Sequence, residues 1–157
     1  YRPDFTEAMD ILDTIEKDKG YSFSTKLAAA SVTAFIFVLL FKGNYYEGVA
    51  ATIISAIIFI FKERVLQVGI FPFLGYFISG IIAGAMSVAT ASLFHGLNIY
   101  KIIIGAIIIL LPGMAITNSI KDALYGDLTS SLNRMCEAIF TVTAVGAGVA
   151  LILFLIL

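Results

Sequence analysis

The stretch Lys101–Lys121, KIIIGAIIILLPGMAITNSIK, decides the fold of this chain. Between its two lysines lie 19 uncharged residues, and about 20 apolar residues suffice for one helix to cross the hydrocarbon core of a bilayer. Pro112 and Gly113 fall near the middle of that run. Because proline lacks the N–H of a helical hydrogen bond and its ring collides with the preceding turn, we predict a helix that breaks there. The second half should begin near Met114 and present free N–H groups and a positive dipole end inside the membrane.

The composition of the whole chain is that of a membrane protein. Of its 157 residues 60% are apolar and only 13% are charged, and the mean hydropathy is +1.00. A water-soluble fold carries roughly twice that share of charged residues, which excludes a soluble enzyme and a disordered tail. The net charge of −1 excludes a nucleic-acid-binding protein, and the single cysteine excludes a disulfide framework or a cysteine-built zinc site.

Uncharged runs along the sequence predict an all-α, polytopic membrane protein with five transmembrane helices. The two early runs are the weaker ones, with 15 residues between Lys26 and Lys42 and 14 between Glu47 and Lys62. Both runs are supported as spans by their flanking residues. Lys26 and Lys42 can extend toward water, and Tyr45 and Tyr46 suit the membrane interface. The predicted spans are Phe23–Phe41, Tyr46–Phe61, Phe71–Phe94, Ile99–Leu124 and Leu128–Leu157.

The basic residues predict the orientation of these spans. Alternation through five spans puts eight of the ten basic residues on one side and leaves only Lys42 and Lys101 on the other. Cytoplasmic loops carry the excess of lysine and arginine. We therefore expect a multi-pass protein of the inner or plasma membrane, with its N-terminus in the cytoplasm and its C-terminus outside.

Residues 1–22 differ from the transmembrane domain, residues 23–157. They hold six of the eleven acidic residues, and their apolar residues recur at three- and four-residue steps, which predicts an acidic amphipathic helix. Helices that lie on membrane surfaces have a basic polar face, so docking onto other protein is favoured over membrane binding. The chain begins with tyrosine rather than methionine, so we expect a natural chain that extends upstream. We do not expect this segment to be a signal peptide, because its start is acidic and its apolar run is broken.

Small residues at four-residue spacing predict where helices touch. Gly80 and Gly84 form such a pair in the third span, and Ala144 and Gly148 form one in the fifth. Helices in lipid associate by close backbone approach, which small residues permit. This spacing is weak evidence for a specific association motif, and we interpret these residues as sites of helix packing.

Polar residues follow the break at helical spacing. Thr117 and Lys121 are four apart, as are Asn118 and Asp122, so each pair lies on one stripe of the second half-helix. After a short turn come the polar residues Asp127, Asn133, Arg134 and Glu137. Arg134 and Glu137 are spaced to pair with each other. Ionisable groups near hydrocarbon usually mark a pathway; the alternative is that several of them simply form the cytoplasmic loop.

The run from Pro112 to Ala138 resembles the signature of the threonine/serine exporter family, P-G-x-x-x-T-N-x-I-x-D-x-x-x-G-D followed by an arginine and E-A. Every position has a counterpart at the expected spacing: Pro112, Gly113, Thr117, Asn118, Ile120, Asp122, Gly126, Asp127, Arg134, Glu137 and Ala138. The acidic segment before the first span, with Ala8, Leu12, Asp13 and Ile15, and Gly43 after that span, extend the resemblance along the chain.

The resemblance implies an exporter of small amino acids such as threonine and serine. Family members carry an upstream soluble region; fused members have about ten spans, and split members use two chains. The chain resembles the first half of a split pair, or a processed fragment. Split-type relatives are linked with export of dicarboxylates such as succinate, so a dicarboxylate exporter subunit working with a second membrane chain is the alternative.

An odd number of spans implies that a homologous second half would cross the bilayer in the opposite direction. Inverted repeats of this kind underlie many alternating-access carriers, whose site lies between the halves. We therefore expect half of a proton-coupled secondary transporter, an antiporter, that needs a second subunit or a copy of itself.

We assign substrate binding to the break and the helix that follows it, at Pro112, Gly113, Thr117, Asn118 and Asp122. The helix end and the Thr117 and Asn118 side chains would hold a carboxylate. Asp122 or Asp127 would face an ammonium group or carry a proton. Coupling or gating is assigned to Asp127, Arg134 and Glu137. We expect no cofactor and no metal, and we expect membrane lipid and a small solute as partners.

Other functional classes fit the sequence less well. An enzyme needs a nucleophile with a base or a metal cluster, but His95 lies alone in a predicted outer turn, and the lone Cys136 is expected to be packed in the protein. An ion or solute channel is harder to exclude, because pores are also lined by polar helix faces. A structural scaffold would not need the polar residues between Pro112 and Glu137.

Overall fold

The computed structural model describes residue 4, residues 8–10, residue 12, and residues 20–66, 71–94 and 96–156. Most of the predicted acidic helix over residues 1–22 therefore lies outside the described residues, as does His95. Where that segment is described, the N–H of Ala8 donates to the carbonyl oxygen of Asp4 at 2.8 Å, which is the spacing of an α-helical turn.

Every regular element in the described part of the chain is a helix. The elements are α1 (Phe23–Leu40), α2 (Tyr45–Leu66), α3 (Pro72–Leu93), α4 (Ile99–Ile107), a 3₁₀ turn (Ile108–Leu110), α5 (Gly113–Leu124) and α6 (Leu128–Ile156). Four of these helices are long and apolar enough to cross a membrane. The segment from α4 through α5, bent by 56°, gives a fifth span if it is counted as one. The predicted all-α, polytopic membrane fold is confirmed.

The second helix is longer than its predicted span. We expected Tyr46–Phe61, but α2 continues to Leu66. Charged side chains mark the edge of the hydrocarbon layer without interrupting backbone hydrogen bonds, so the helix continues through Lys62. The Lys62 ammonium lies 5.3 Å from the centre of the Tyr76 ring on α3, a cation–π contact.

The buried core lies where α1, α2, α3 and α4 meet. Helix α2 packs against the other three, and α4 also packs against α1 and α3. Gly105 permits the close approach of α4 to α1, because a Cβ atom there would overlap the Val38 side chain and lie 3.0 Å from the carbonyl oxygen of Ala34. The core consists of alanine and branched aliphatic side chains, including Ala51, Ile54, Ile58, Ile102 and Ala106.

A second seam, between α3 and α6, depends on glycine. A Cβ atom at Gly80 would overlap the carbonyl oxygen of Val145, and one at Gly148 would overlap that of Phe77. The backbones therefore touch directly, as in other membrane helix pairs with small residues at the interface. The small residues of the third and fifth spans therefore mark a helix contact, as predicted, and the structure shows that these two spans contact each other.

A buried carboxylate ties together the two loops at the end of the bundle opposite the α5–α6 turn. Glu47 has only 1% of its surface exposed. One carboxylate oxygen accepts from the N–H of Asn44 and the other from the N–H of Asn98, each at 2.7 Å. Beside them, the ammonium of Lys101 donates to the carbonyl oxygen of Lys42 at 2.7 Å. The α1–α2 loop and the start of α4 are thereby joined.

Candidate functional site

Pro112 causes the break between α4 and α5. In a continuous helix residue 112 would donate its N–H to the carbonyl oxygen of Ile108, but proline has no N–H. Leu111 donates to that oxygen instead, at 3.2 Å, which tightens the chain into the 3₁₀ turn. With φ −82° and ψ 52°, Pro112 turns the backbone, and α5 begins at Gly113. The predicted break, with a second half starting near Met114, is confirmed.

The N-terminus of α5 has no side-chain cap. Pro112 precedes the helix and makes no side-chain hydrogen bond to its first turn. A Cβ atom built on Gly113 would have no described atom within 4 Å, so this end of the helix faces open space. The N–H of Gly113 donates to the carbonyl oxygen of Leu111 at 2.9 Å, so the N–H groups without a cap are those that follow it in the first turn. Such groups together with the helix dipole attract carboxylates and other anions.

The two polar stripes of α5 face different surroundings. Thr117 and Lys121 are exposed, and the Thr117 hydroxyl donates to the carbonyl oxygen of Gly113 at 3.0 Å. Asn118 and Asp122 are partly buried, because α5 packs mainly along α6. Because α5 begins at Gly113, Thr117 and Asn118 lie about one helical turn beyond its uncapped end.

Asp122 forms an ion pair with Arg134 across the α5–α6 turn. The Nε atom of Arg134 lies 2.9 Å from Oδ2 of Asp122. That oxygen nevertheless has no hydrogen bond within the described residues, so the contact is a charge interaction without hydrogen-bond alignment. The expected pairing of Arg134 with Glu137 is wrong: packing of α5 on α6 brings the Asp122 carboxylate to the guanidinium.

The turn between α5 and α6 is built by Gly126 and Asp127. Gly126 has φ +85°, and the N–H of Asp127 donates to the carbonyl oxygen of Asp122 at 3.0 Å, which is a Schellman ending of α5. The Asp127 carboxylate then caps α6, accepting from the hydroxyl and the N–H of Ser130 at 2.7 and 3.0 Å.

These bonds from Ser130, with a smaller effect of the Arg134 charge, lower the pKa of Asp127 below its usual value of 3.8. The carboxylate therefore stays ionised near neutral pH, which suits a helix cap.

A serine pair that the sequence did not reveal also joins the two helices. Ser119 is buried, and its hydroxyl donates to the carbonyl oxygen of Ser131 at 2.8 Å. Neither residue stands at a distinctive spacing, so only the packing of the helices shows the contact.

Glu137, on α6, lines a groove between α3 and α6. This groove has a volume of about 700 Å³ and lies at the N-terminal end of α3. Asn133 and Thr141, four residues to either side, line the same groove. Cys136 lines it too and is exposed, so the expectation that this cysteine is packed is wrong.

A larger groove, of about 880 Å³, lies between α2 and α3 near the opposite end of the bundle. Its described lining includes no charged side chain, and the hydroxyl of Thr90 is already bonded to the carbonyl oxygen of Met86. Apart from the two tyrosines, Tyr45 and Tyr46, the rest of the lining is apolar. The groove therefore offers no charge to hold the ionic groups of a substrate, and its size alone does not make it the functional site.

Comparison with known proteins comes from a family model. The model described as "Putative threonine/serine exporter" matches residues 2–156. No curated protein and no solved structure matches the chain. Within the described residues, no group of three His, Cys, Asp or Glu side chains is placed to hold a metal ion.

Proposed function

Because this chain belongs to the threonine/serine exporter family, we propose that it is part of a secondary transporter that exports small amino acids such as threonine and serine. The observation that supports this most directly is the bent α4–α5 segment, whose second half begins without a side-chain cap. Secondary transporters use broken helices to hold charged substrate groups near the middle of the bilayer.

In this proposal the substrate carboxylate binds at the N-terminus of α5. Pro112 and Gly113 keep that end free of a cap and of side-chain bulk. Thr117 and Asn118 supply a hydroxyl and an amide one turn further along. Asp122 lies one turn further along α5. The charge of a bound substrate would act electrostatically on its carboxylate at that distance.

Coupling and gating are assigned to the ionisable residues around the α5–α6 turn. We assign gating to Arg134, because its pairing with Asp122 joins α5 to α6. Export against a gradient needs an energy source. From the sequence, the expected proton carrier is Asp122 or Asp127; because the pKa of Asp127 is lowered, we assign proton exchange to Asp122, with Glu137 as the second candidate. Asp127 holds the turn that positions them.

The chain acts in this proposal as one half of the transporter. Helix α5 packs mainly on α6, which leaves its other faces available to a second membrane subunit or a second copy. An inverted second half would place the α5 N-terminus at the interface of the halves. The charge distribution supports a cell-membrane location with the N-terminus in the cytoplasm.

Reconstitution into liposomes with an imposed pH gradient tests the function. The chain is measured alone and with its candidate partner, using radiolabelled threonine, serine and succinate. Saturable, pH-dependent flux of threonine or serine is expected. Flux of succinate alone would favour the dicarboxylate alternative, unitary conductance would favour a channel, and full activity of the monomer would contradict the half-transporter proposal.

Substitution of Asp122 tests the mechanism. Asp122→Asn keeps the shape of the side chain but removes its charge and its proton exchange, so pH-driven export should be lost while the protein stays folded. Thr129→Val, at an exposed position near the start of α6, is the control and should transport normally. Unchanged export by Asp122→Asn would remove this residue from the mechanism.

A further inference from the structure

The α3–α6 groove contains three polar groups without partners. Asn133, Glu137 and Thr141 follow one another at four-residue spacing on α6 and line the groove together. None of their side chains makes a hydrogen bond or an ion pair within the described residues, and Thr141 is 8% exposed. The side chains of Asn133 and Glu137 are exposed on this face of α6. An unpaired carboxylate on a membrane-spanning helix, beside a groove lined largely by aromatic side chains, is costly unless a cation or water accompanies it.

The other acidic side chains of the signature are already engaged. Asp122 is paired with Arg134, and Asp127 caps α6 through Ser130. Glu137 is therefore the acid of this group whose carboxylate has neither a hydrogen bond nor an ion pair within the described residues.

Aromatic side chains give the groove a second feature that favours a cation. The rings of Phe73, Tyr76 and Phe140 line it, and its described lining includes no lysine or arginine. Aromatic faces attract ammonium groups. The Tyr76 ring already shows this chemistry, since the Lys62 ammonium lies 5.3 Å from its centre.

We propose that this groove is an entry subsite that binds the ammonium group of a small amine-bearing solute. Glu137 supplies the counter-charge, and the oxygens of Asn133 and Thr141 accept the remaining ammonium hydrogens. A volume of about 700 Å³ is within the range of small-molecule sites. The identification of this solute with the exported amino acid rests on the proposed function. The binding of an ammonium group in the groove is inferred independently, from its lining residues.

The depth of the groove suits entry from the side of the α5–α6 turn. Glu137 lies nine residues beyond the start of α6 at Leu128, or about 14 Å along the helix. Phe71 and Pro72, at the start of α3, line the end of the groove nearer the loops. The proposed orientation puts that end in the cytoplasm, where an exporter collects its substrate.

Cys136 provides a native reporter for this site, because it lines the groove and is the only cysteine of the chain. The full chain in liposomes is treated with a maleimide, and the labelling rate is measured with each of four solutes. Threonine and ethanolamine carry an ammonium group, whereas the only charged groups of lactate and succinate are carboxylates. Threonine and ethanolamine should slow labelling, and lactate and succinate should not.

Substitutions identify the group responsible. Glu137→Gln keeps the side-chain shape and should raise the ethanolamine concentration needed for protection by about tenfold or more, since hydrogen bonds to charged groups contribute that much. Thr141→Val should have a smaller effect in the same direction, and Glu63→Gln on α2 should have none. Each variant's rate is divided by its own rate without solute, which corrects for altered thiol reactivity.

Several outcomes would overturn the proposal. These are protection by lactate or succinate but not by ethanolamine, equal protection in Glu137→Gln, or a cysteine that cannot be labelled because another chain or lipid covers the groove. Because the readout is labelling, loss of transport with intact protection would count against the proposed function alone. Transport without protection would count against the subsite alone.

Discussion

Removal of one acceptor from Glu47 should destabilise the whole bundle. The carboxylate is buried, and its two oxygens accept from the N–H groups of Asn44 and Asn98, each at 2.7 Å, two residues that lie 54 positions apart in the sequence. Glu47→Gln preserves the shape of the side chain, but its amide can accept from only one of these groups and turns an NH₂ donor toward the other. One backbone N–H is then left without its acceptor in a partly buried position.

The magnitude follows from the two bonds. A hydrogen bond to a charged group contributes about 1.5–3 kcal/mol, and an unsatisfied buried donor costs a similar amount. We expect about 2–3 kcal/mol for Glu47→Gln and about 3–6 kcal/mol for Glu47→Ala, which removes both acceptors. Loss of the buried charge acts in the opposite direction by removing its desolvation cost. That relief would dominate only if Asn44 and Asn98 found other acceptors.

Thermal unfolding of the detergent-solubilised protein, followed by circular dichroism, measures the effect. At about 2–4 °C per kcal/mol for a chain of this size, Glu47→Gln should lower Tm by about 4–12 °C, and Glu47→Ala should lower it further. Glu63→Gln, the same substitution near the other end of α2, should leave Tm unchanged. A wild-type Tm in Glu47→Gln, or an equal fall in Glu63→Gln, would refute the structural role of the carboxylate.

Three further predictions concern the helix seam and the turn. Gly148→Ala would press a methyl group onto the Phe77 carbonyl and should cost about 1–3 kcal/mol in thermal unfolding, whereas Gly146→Ala, which meets no described atom within 4 Å, should not destabilise. Gly126→Ala should cost about 1–2 kcal/mol, because φ is +85°. Asp127 has a lowered folded-state pKa, so its stabilisation is complete above pH 3.8 and is lost as pH falls through the lower value; Asp127→Asn, measured by the same unfolding at each pH, should lack this dependence.

Local chemistry made much of the fold predictable. The break at Pro112 follows from a missing N–H, and the turn after Tyr125 follows from a glycine that accepts a left-handed backbone. The end of α2 was less predictable, because Lys62 limits the hydrocarbon run but not the helix. The exposed position of Cys136 depends on how α3 and α6 diverge, which residue type alone does not indicate.

Contacts between distant parts of the chain were not predictable from spacing. Arg134 and Glu137 stand at a helical spacing that permits pairing, yet Arg134 pairs with Asp122 because α5 folds back on α6. The capping pattern from Asn44 to Glu47 could have indicated one bond of the buried carboxylate. Its second bond, to Asn98, depends on α2 and α4 packing side by side.

The two halves of the bent α4–α5 segment are held by different parts of the bundle, and this determines where the protein can change shape. Helix α4 is packed against α1, α2 and α3, and its start is tied down by Glu47. Helix α6 is fixed to α3 by direct backbone contact. Helix α5 is joined mainly to α6, through one serine pair and an ion pair whose arginine is half exposed, and exposed ion pairs contribute only about 0–1 kcal/mol. Reorientation of α5 about Pro112 therefore disrupts fewer contacts than movement of α4 or α6, and it would change the surroundings of the uncapped helix end.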